Sequence, residues 1–252
     1  MVPHVNLCPS VNDLVHATKH HPLGWRPNIV RLFGQSSASY EEEVNANHLL
    51  IDGVDSYCAC QRYCTKNVLV AGGPGSGKTY CMQVAALYAM SRGLNVIITS
   101  LQSERSQEFG SIHLHLLMKI PPHSSGSVQH VADLTLVALH QNPVHMLILH
   151  TLDCLCVDEL GLVSSDFFAA WDIVLRSICD SSQSMGRVLL FCTIDNEQIN
   201  PIRGHPVLMS SHIITSFCIV LMKHWVRSRF DRYVCDIFSS ELFNEVWFVY
   251  EL

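Results

Sequence analysis

The stretch VLVAGGPGSGKT, residues 68–79, decides how this chain is read. An apolar run breaks into glycines and ends on Lys78 and Thr79. The spacing, with Gly72, four residues, then Gly77, Lys78 and Thr79, is that of a phosphate-binding loop, and each position has a physical task. Glycines let the backbone curl so that its amide N–H groups point inward at phosphate oxygens. Lys78 reaches the β and γ phosphates, and the Thr79 hydroxyl ligates Mg²⁺. Gly72, Gly73, Pro74, Gly75, Ser76, Gly77, Lys78, Thr79 and Tyr80 are therefore the expected nucleotide-binding set, with ATP and Mg²⁺ as cofactors. The alternative is an ordinary glycine turn.

The flanking pattern decides between the two. NVLVA (67–71) reads as a buried strand, and KTYCMQVAALYAMSRG (78–93) as a helix. That helix places Cys81, Val84, Ala85, Tyr88 and Ala89 on one face and Gly93 at its stop. Strand, glycine loop and helix is the order that a phosphate loop requires. The pattern predicts a helix over 44–54 before it. Further apolar runs follow at 94–100, 152–157 and 187–193, separated by helical segments at roughly 103–119, 128–150 and 165–180. Strands apolar throughout and alternating with helices predict an α/β P-loop NTPase fold with a mostly parallel sheet flanked by helices.

LCVDEL (155–160) supplies the complement to the loop, because its apolar strand ends in two adjacent carboxylates. In a sheet of this class that end faces the phosphates. Asp158 is placed to hold Mg²⁺, and Glu159 to orient and deprotonate an attacking water. An acidic strand-to-loop turn is the alternative where such a pair stands alone; here the loop lies upstream of it.

Composition bounds the rest. A chain of 252 residues can bury a sizeable core, and the formal charge of −6 gives no global basic field, so any nucleic acid must be met by a local groove. Eleven cysteines lack regular spacing, and no N-terminal stretch reads as a secretory leader. Both point to a reducing intracellular compartment, with the cysteines as buried apolar residues. The longest apolar runs are too short and too polar for a membrane span. At 48% hydrophobic residues the chain is unusually apolar, consistent with an open face that another domain or partner covers. Cys58, Cys60 and Cys64, with His48 nearby, lack a second ligand pair at finger-like distance and are read as thiols, not a zinc site.

Four further blocks follow the loop in order: TSLQSERSQEFGSIHLH (99–115), VDELGLVSSDFFAAWDIVLRSI (157–178), RVLLFCTIDNEQINPI (187–202) and VLMKHWVRS (220–228). Together with the loop they resemble the first half of a superfamily 1 DNA helicase of the petite-integration-frequency (PIF-type) branch, which includes the Helitron transposon helicases. The resemblance covers roughly residues 44–230. It implies that the fold is RecA-like and that Thr99, Ser100, Gly110 and His115 line a groove for single-stranded DNA. It also implies that Gln198 senses the γ phosphate and that Arg227 reaches that phosphate from a second motor domain; Lys78, Glu159, Gln198 and Arg227 are then the catalytic set. Asp195 and Gln198 match the family pattern Gly-Asp-x-x-Gln-Leu-Pro-Pro, while Ile194 and Asn200 replace its Gly and first Pro. His48 falls nearest the family's adenine-reading glutamine and is the expected base contact.

The resemblance further implies roles in DNA repair and recombination, in the nucleus or the mitochondrion. The expected division is an irregular lead-in over 1–43, a RecA-like ATPase domain over 44–212, and from 213 to 252 the start of an incomplete second motor domain. With that second domain incomplete, ATP binding is expected and unwinding is not. Two other readings fit parts of the pattern. An AAA+ type ATPase shares GGPGSGKT and VDEL and would use Asn196 as sensor, and a non-enzymatic remnant of a mobile-element helicase would bind nucleotide without turnover.

Overall fold

Five apolar runs become strands: β1 (Asn67–Gly72), β2 (Val96–Ser100), β3 (Cys154–Asp158), β4 (Leu189–Asp195) and β5 (Phe217–Met222). The computed structural model describes residues 37–61, 65–108, 112–120, 126–180, 182–195, 201 and 204–223. The strands form one sheet in the order β2-β3-β4-β1-β5, and every pairing is parallel. Register aligns their carboxyl ends, with Gly72 opposite both Asp195 and Met222 and Ser100 opposite Asp158. The chemistry-bearing residues of the sequence thus reach one rim of the sheet, where ligands of open α/β folds bind.

The side-chain alternation of a strand sends successive residues to opposite faces, and two apolar cores result. Val68, Val70, Cys154, Cys156, Leu189, Phe191, Val220 and Met222 pack on α1 (Ser37–Ala59) and α2 (Lys78–Ser91). Leu69, Ala71, Leu155, Val157, Leu190, Cys192 and Ile194 face the other way. They are covered by α4 (Leu114–Met118), α5 (Val128–His140), α6 (Pro143–His150), α7 (Ser165–Ile178) and α8 (Ser211–Ser216), chiefly through α4, α5 and α7, while the short α3 (Ser103–Glu108) follows β2. On α7 the stripe Phe168, Trp171, Val174 and Leu175 is fully buried, as its helical spacing requires. Tyr88 on α2 donates to Asp55 Oδ1 on α1 at 2.8 Å, joining the two helices of the first face. Burial, and then that hydrogen bond to Asp55, push the Tyr88 phenol up to about 12.

Several expectations are corrected. The first helix begins at Ser37, so the last seven residues of the expected lead-in are helical, and Glu43 is buried rather than solvated. The helix extends because Ala46, Leu50, Val54 and Tyr57 form a continuous stripe against the sheet. The segment 128–150 is two helices, since Pro143 lacks an N–H and its ring clashes with the preceding turn; it opens α6 instead. Residues 217–222, expected in a second domain, are the edge strand beside β1, because Val220 and Met222 complete the first core. Cys58 is half-buried and Cys60 exposed at the end of α1, unlike the deeply buried Cys81, Cys154, Cys156 and Cys192; Cys64 lies outside the described residues. Among the described residues no helix is long and apolar enough to cross a membrane.

Candidate nucleotide site

The loop of residues 72–79 leaves β1 at the sheet rim and feeds directly into α2. Gly75 (φ 78°) and Gly77 (φ 101°) hold left-handed backbone, and Gly77 caps α2. A side chain is disfavoured at both positions, which is why the loop needs glycine there. Gly72 is required for another reason: a Cβ on it would lie 2.4 Å from the Met222 carbonyl oxygen of β5. The Lys78 ammonium is almost fully buried and donates to the carbonyl oxygens of Gly72 (2.9 Å) and Gly73 (2.6 Å). It also lies 3.8 Å from Asp195 Oδ2 at the end of β4. Buried charge is tolerated only when it is paired and hydrogen-bonded, and here the chain itself supplies both conditions.

One residue on, the Thr79 hydroxyl donates to Asp158, at 3.1 Å from Oδ1 and 3.3 Å from Oδ2. Asp158 is 1% exposed and accepts a second hydrogen bond from the Thr193 hydroxyl on β4. That same Thr193 oxygen accepts the backbone N–H of Glu159 at 3.0 Å. Glu159 sits in left-handed backbone (φ 60°, ψ 47°), a conformation disfavoured for any residue with a Cβ, at the turn into a 3₁₀ segment (Leu160–Leu162). Gly161 in that turn gives β4 room, since a Cβ there would lie 3.1 Å from Ile194 Cγ1. Ile194 is thus accommodated by a glycine opposite it.

These residues fit a Mg²⁺-bound nucleoside triphosphate. Thr79 and Asp158 offer hard oxygen donors side by side, next to an ammonium and the glycine loop that leads into α2. The buried Ser76 hydroxyl within the loop has no hydrogen-bond partner among the described residues, a polar atom left for a ligand or water to satisfy. No three His, Cys, Asp or Glu side chains gather as a metal cluster among the described residues.

The residues expected to meet nucleic acid are placed differently from one another. Thr99 and Ser100 are fully buried at the end of β2. Thr99 donates to the Ile112 carbonyl (2.6 Å), and Ser100 Oγ accepts the Gln102 N–H (3.1 Å), so both hydroxyls shape the turn from inside. His113 caps α4: its Nδ1 accepts the His115 N–H at 3.2 Å, leaving Nε2 to carry the proton donated to the Leu101 carbonyl. His115 packs edge-on against Phe167 of α7, with ring centroids 4.7 Å apart. Burial, and then the neighbouring His113, hold the His115 imidazole below the usual histidine range. It is therefore a neutral ring at neutral pH.

His48 is exposed on α1, whereas the adjacent Asn47 is buried, with neither amide atom hydrogen-bonded among the described residues. Gly110, Gln198, Asn196 and Arg227 lie outside the described residues. The sequence reading passed over Thr193, whose signal is a hydroxyl near the end of an otherwise apolar strand. It named Asp195 without foreseeing its place beside Lys78.

No protein-family model matches the chain, and no curated protein matches it in sequence. Solved structures do match it. The Pif1 helicase of Candida albicans aligns with a TM-score of 0.60 at 16% identity, over 73% of this chain and 42% of that one. Pif1 of a Bacteroides species, solved in complex with ADP-AlF4, aligns with a TM-score of 0.55 at 21% identity, over 74% and 42%. A structure described as two coordinating Pif1 helicases unwinding forked double-stranded DNA aligns with a TM-score of 0.52 at 20% identity, over 71% and 44%. The chain therefore spans less than half the length of the helicases it matches. In fold, it is a RecA-like α/β domain similar to part of these Pif1 helicases.

Proposed function

We propose that this chain binds Mg²⁺-ATP at the 72–79 loop and hydrolyses it in response to single-stranded DNA, as a motor domain of a PIF-type DNA helicase. The observation that carries the proposal is the meeting of Thr79 and Asp158 at 3.1 Å, on the rim where Lys78 also lies. Residues 79 positions apart in sequence come together in the order that a hydrolytic phosphate site needs. Lys78 exchanges its carbonyl partners for phosphate oxygens, and Thr79 and Asp158 hold the metal. Bound Mg²⁺ neutralises phosphate charge that would otherwise repel a nucleophile. Glu159 orients the attacking water and takes its proton. Gln198 and Arg227 are assigned to the γ phosphate by family resemblance.

The nucleotide assignment draws support from the Bacteroides Pif1 complex with ADP-AlF4, and the DNA assignment from the Pif1 pair at forked DNA. In this reading Thr99 and Ser100 act from inside, by shaping the turn that presents the His113–His115 segment, and the half-buried rings of His115 and Phe167 form the stacking surface beside it. A neutral aromatic ring there suits contact with bases without sequence readout.

The experiment is ATP hydrolysis with and without single-stranded DNA, beside Lys78→Ala. Turnover stimulated by DNA and reduced about a hundredfold or more by the substitution is expected, on the scale of losing one positioned donor to a transition state. Basal turnover indifferent to DNA points instead to the AAA+ type reading. Binding without turnover points to a nucleotide-holding remnant.

A further inference from the structure

We propose that Thr193 is a positioning residue of the phosphate site, the side chain by which β4 sets both carboxylate residues at the end of β3. The proposal rests on the nucleotide reading above and adds to it a residue that the sequence motifs do not assign.

A threonine hydroxyl has one proton to give and lone pairs to receive. Thr193 gives its proton to Asp158 Oδ1 and receives the Glu159 N–H, so one oxygen fixes a side chain and the next residue's backbone. Both targets matter to the chemistry. Asp158 must keep its carboxylate turned toward Thr79, and its second donor, Thr193, restricts the rotation that would turn it away. Glu159 must project from left-handed backbone, which persists only where the surroundings hold it. The Thr193 oxygen is the acceptor on its amide.

The same strand end touches the other half of the site, because Asp195, two residues on, lies 3.8 Å from the Lys78 ammonium. β4 thus contacts the metal-side carboxylate through Thr193 and the phosphate-side ammonium through Asp195. On the opposite flank of β3, Ser100 is the register neighbour of Asp158, yet its hydroxyl is engaged by the Gln102 N–H. Among the described residues β2 thus pairs with the backbone at Asp158, and the neighbouring-strand side chain that bonds its carboxylate comes from β4. Thr193 is 1% exposed, so its hydroxyl is shielded from bulk solvent.

Thr193→Val keeps the shape and removes the hydroxyl; Thr193→Ser keeps the hydroxyl and removes the methyl. Two measurements on the whole chain decide the matter. The first is amide hydrogen exchange without nucleotide. In T193V the Glu159 amide is expected to exchange at least about tenfold faster while the amides of Leu155, Cys156 and Val157 keep their protection, as loss of one local acceptor implies. The second is the Mg²⁺ dependence of binding a fluorescent ATP analogue. The half-saturating Mg²⁺ concentration should rise about tenfold or more in T193V, the scale on which partners of metal ligands act. Affinity without Mg²⁺ should stay at the parental value.

T193S should restore both. A serine variant that behaves like valine overturns the proposal, because the methyl would then be what matters. So does a valine variant with parental Mg²⁺ dependence, whatever its exchange, because a merely structural hydroxyl leaves that requirement unmoved. Thr193→Ala replaces valine in both assays if valine prevents folding. A parent chain that binds no nucleotide defeats the underlying nucleotide reading, and is told apart from failure of Thr193 by the parent's own titration.

Discussion

At the scale of single residues, the site is an exchange of partners around Lys78 and Asp158. The ammonium is held by two carbonyls and Asp195, and the carboxylate by two hydroxyls, so neither charge is stranded in the interior. A ligand must therefore offer Lys78 more than two neutral oxygens, which a triphosphate does. Glu159 plays a different part, because its backbone is fixed by Thr193 whichever side chain it carries. Glu159→Gln preserves the shape and the amide bond and removes the base. Nucleotide affinity should stay within about twofold while single-turnover hydrolysis falls by about 10²- to 10⁴-fold, the usual reach of general-base catalysis. Hydrolysis at the parental rate in this variant would remove Glu159 from its role.

Among the elements, β1 and β5 constrain each other most tightly. Their pairing runs from Asn67–Phe217 to Gly72–Met222, and the glycine that ends β1 has the Met222 carbonyl where its side chain would be. Gly72→Ala forces backbone against backbone, with no flexible side chain to yield. A loss of about 1–3 kcal/mol is expected from such overpacking, read as a lower urea midpoint at unchanged slope. A parental midpoint would mean that β5 does not run beside the loop. The same pair of elements illustrates what was legible beforehand. β1 and its loop were readable because strand, glycines and helix are contiguous. The placement of β5 was not, because a run such as FCIVLM is equally suited to this sheet or to another domain until its partner strand is known. Likewise Thr99 and Ser100 gave no sign of lying inside the turn, since a hydroxyl's direction depends on the carbonyl or amide that the fold brings to it.

At the scale of the molecule, among the described residues one sheet carries two cores and a reactive rim, and exposed apolar side chains remain on α5 and α6. Val137, Val144 and Leu147 are each more than half exposed, a physical counterpart of the apolar composition. The rim joins β1, β3 and β4, so a ligand seated there braces the molecule as a unit. Mg²⁺-ATP or a non-hydrolysable analogue at about 100 times its Kd should add about 2.7 kcal/mol to unfolding, seen as a rise in Tm, and Lys78→Ala should abolish the rise. An equal rise in parent and variant would place nucleotide elsewhere. By itself the sequence determined the phosphate loop, the strands and the paired carboxylates, because these depend on residues a few positions apart and on the alternation of apolar runs. Only the tertiary structure decided that Thr193 reaches Asp158 from 35 residues away, that Asp195 stands beside Lys78, and that β5 closes the sheet against Gly72. Those contacts are set by strand order and register, and parallel strands brought together through long crossovers leave no local trace of which neighbours they will meet.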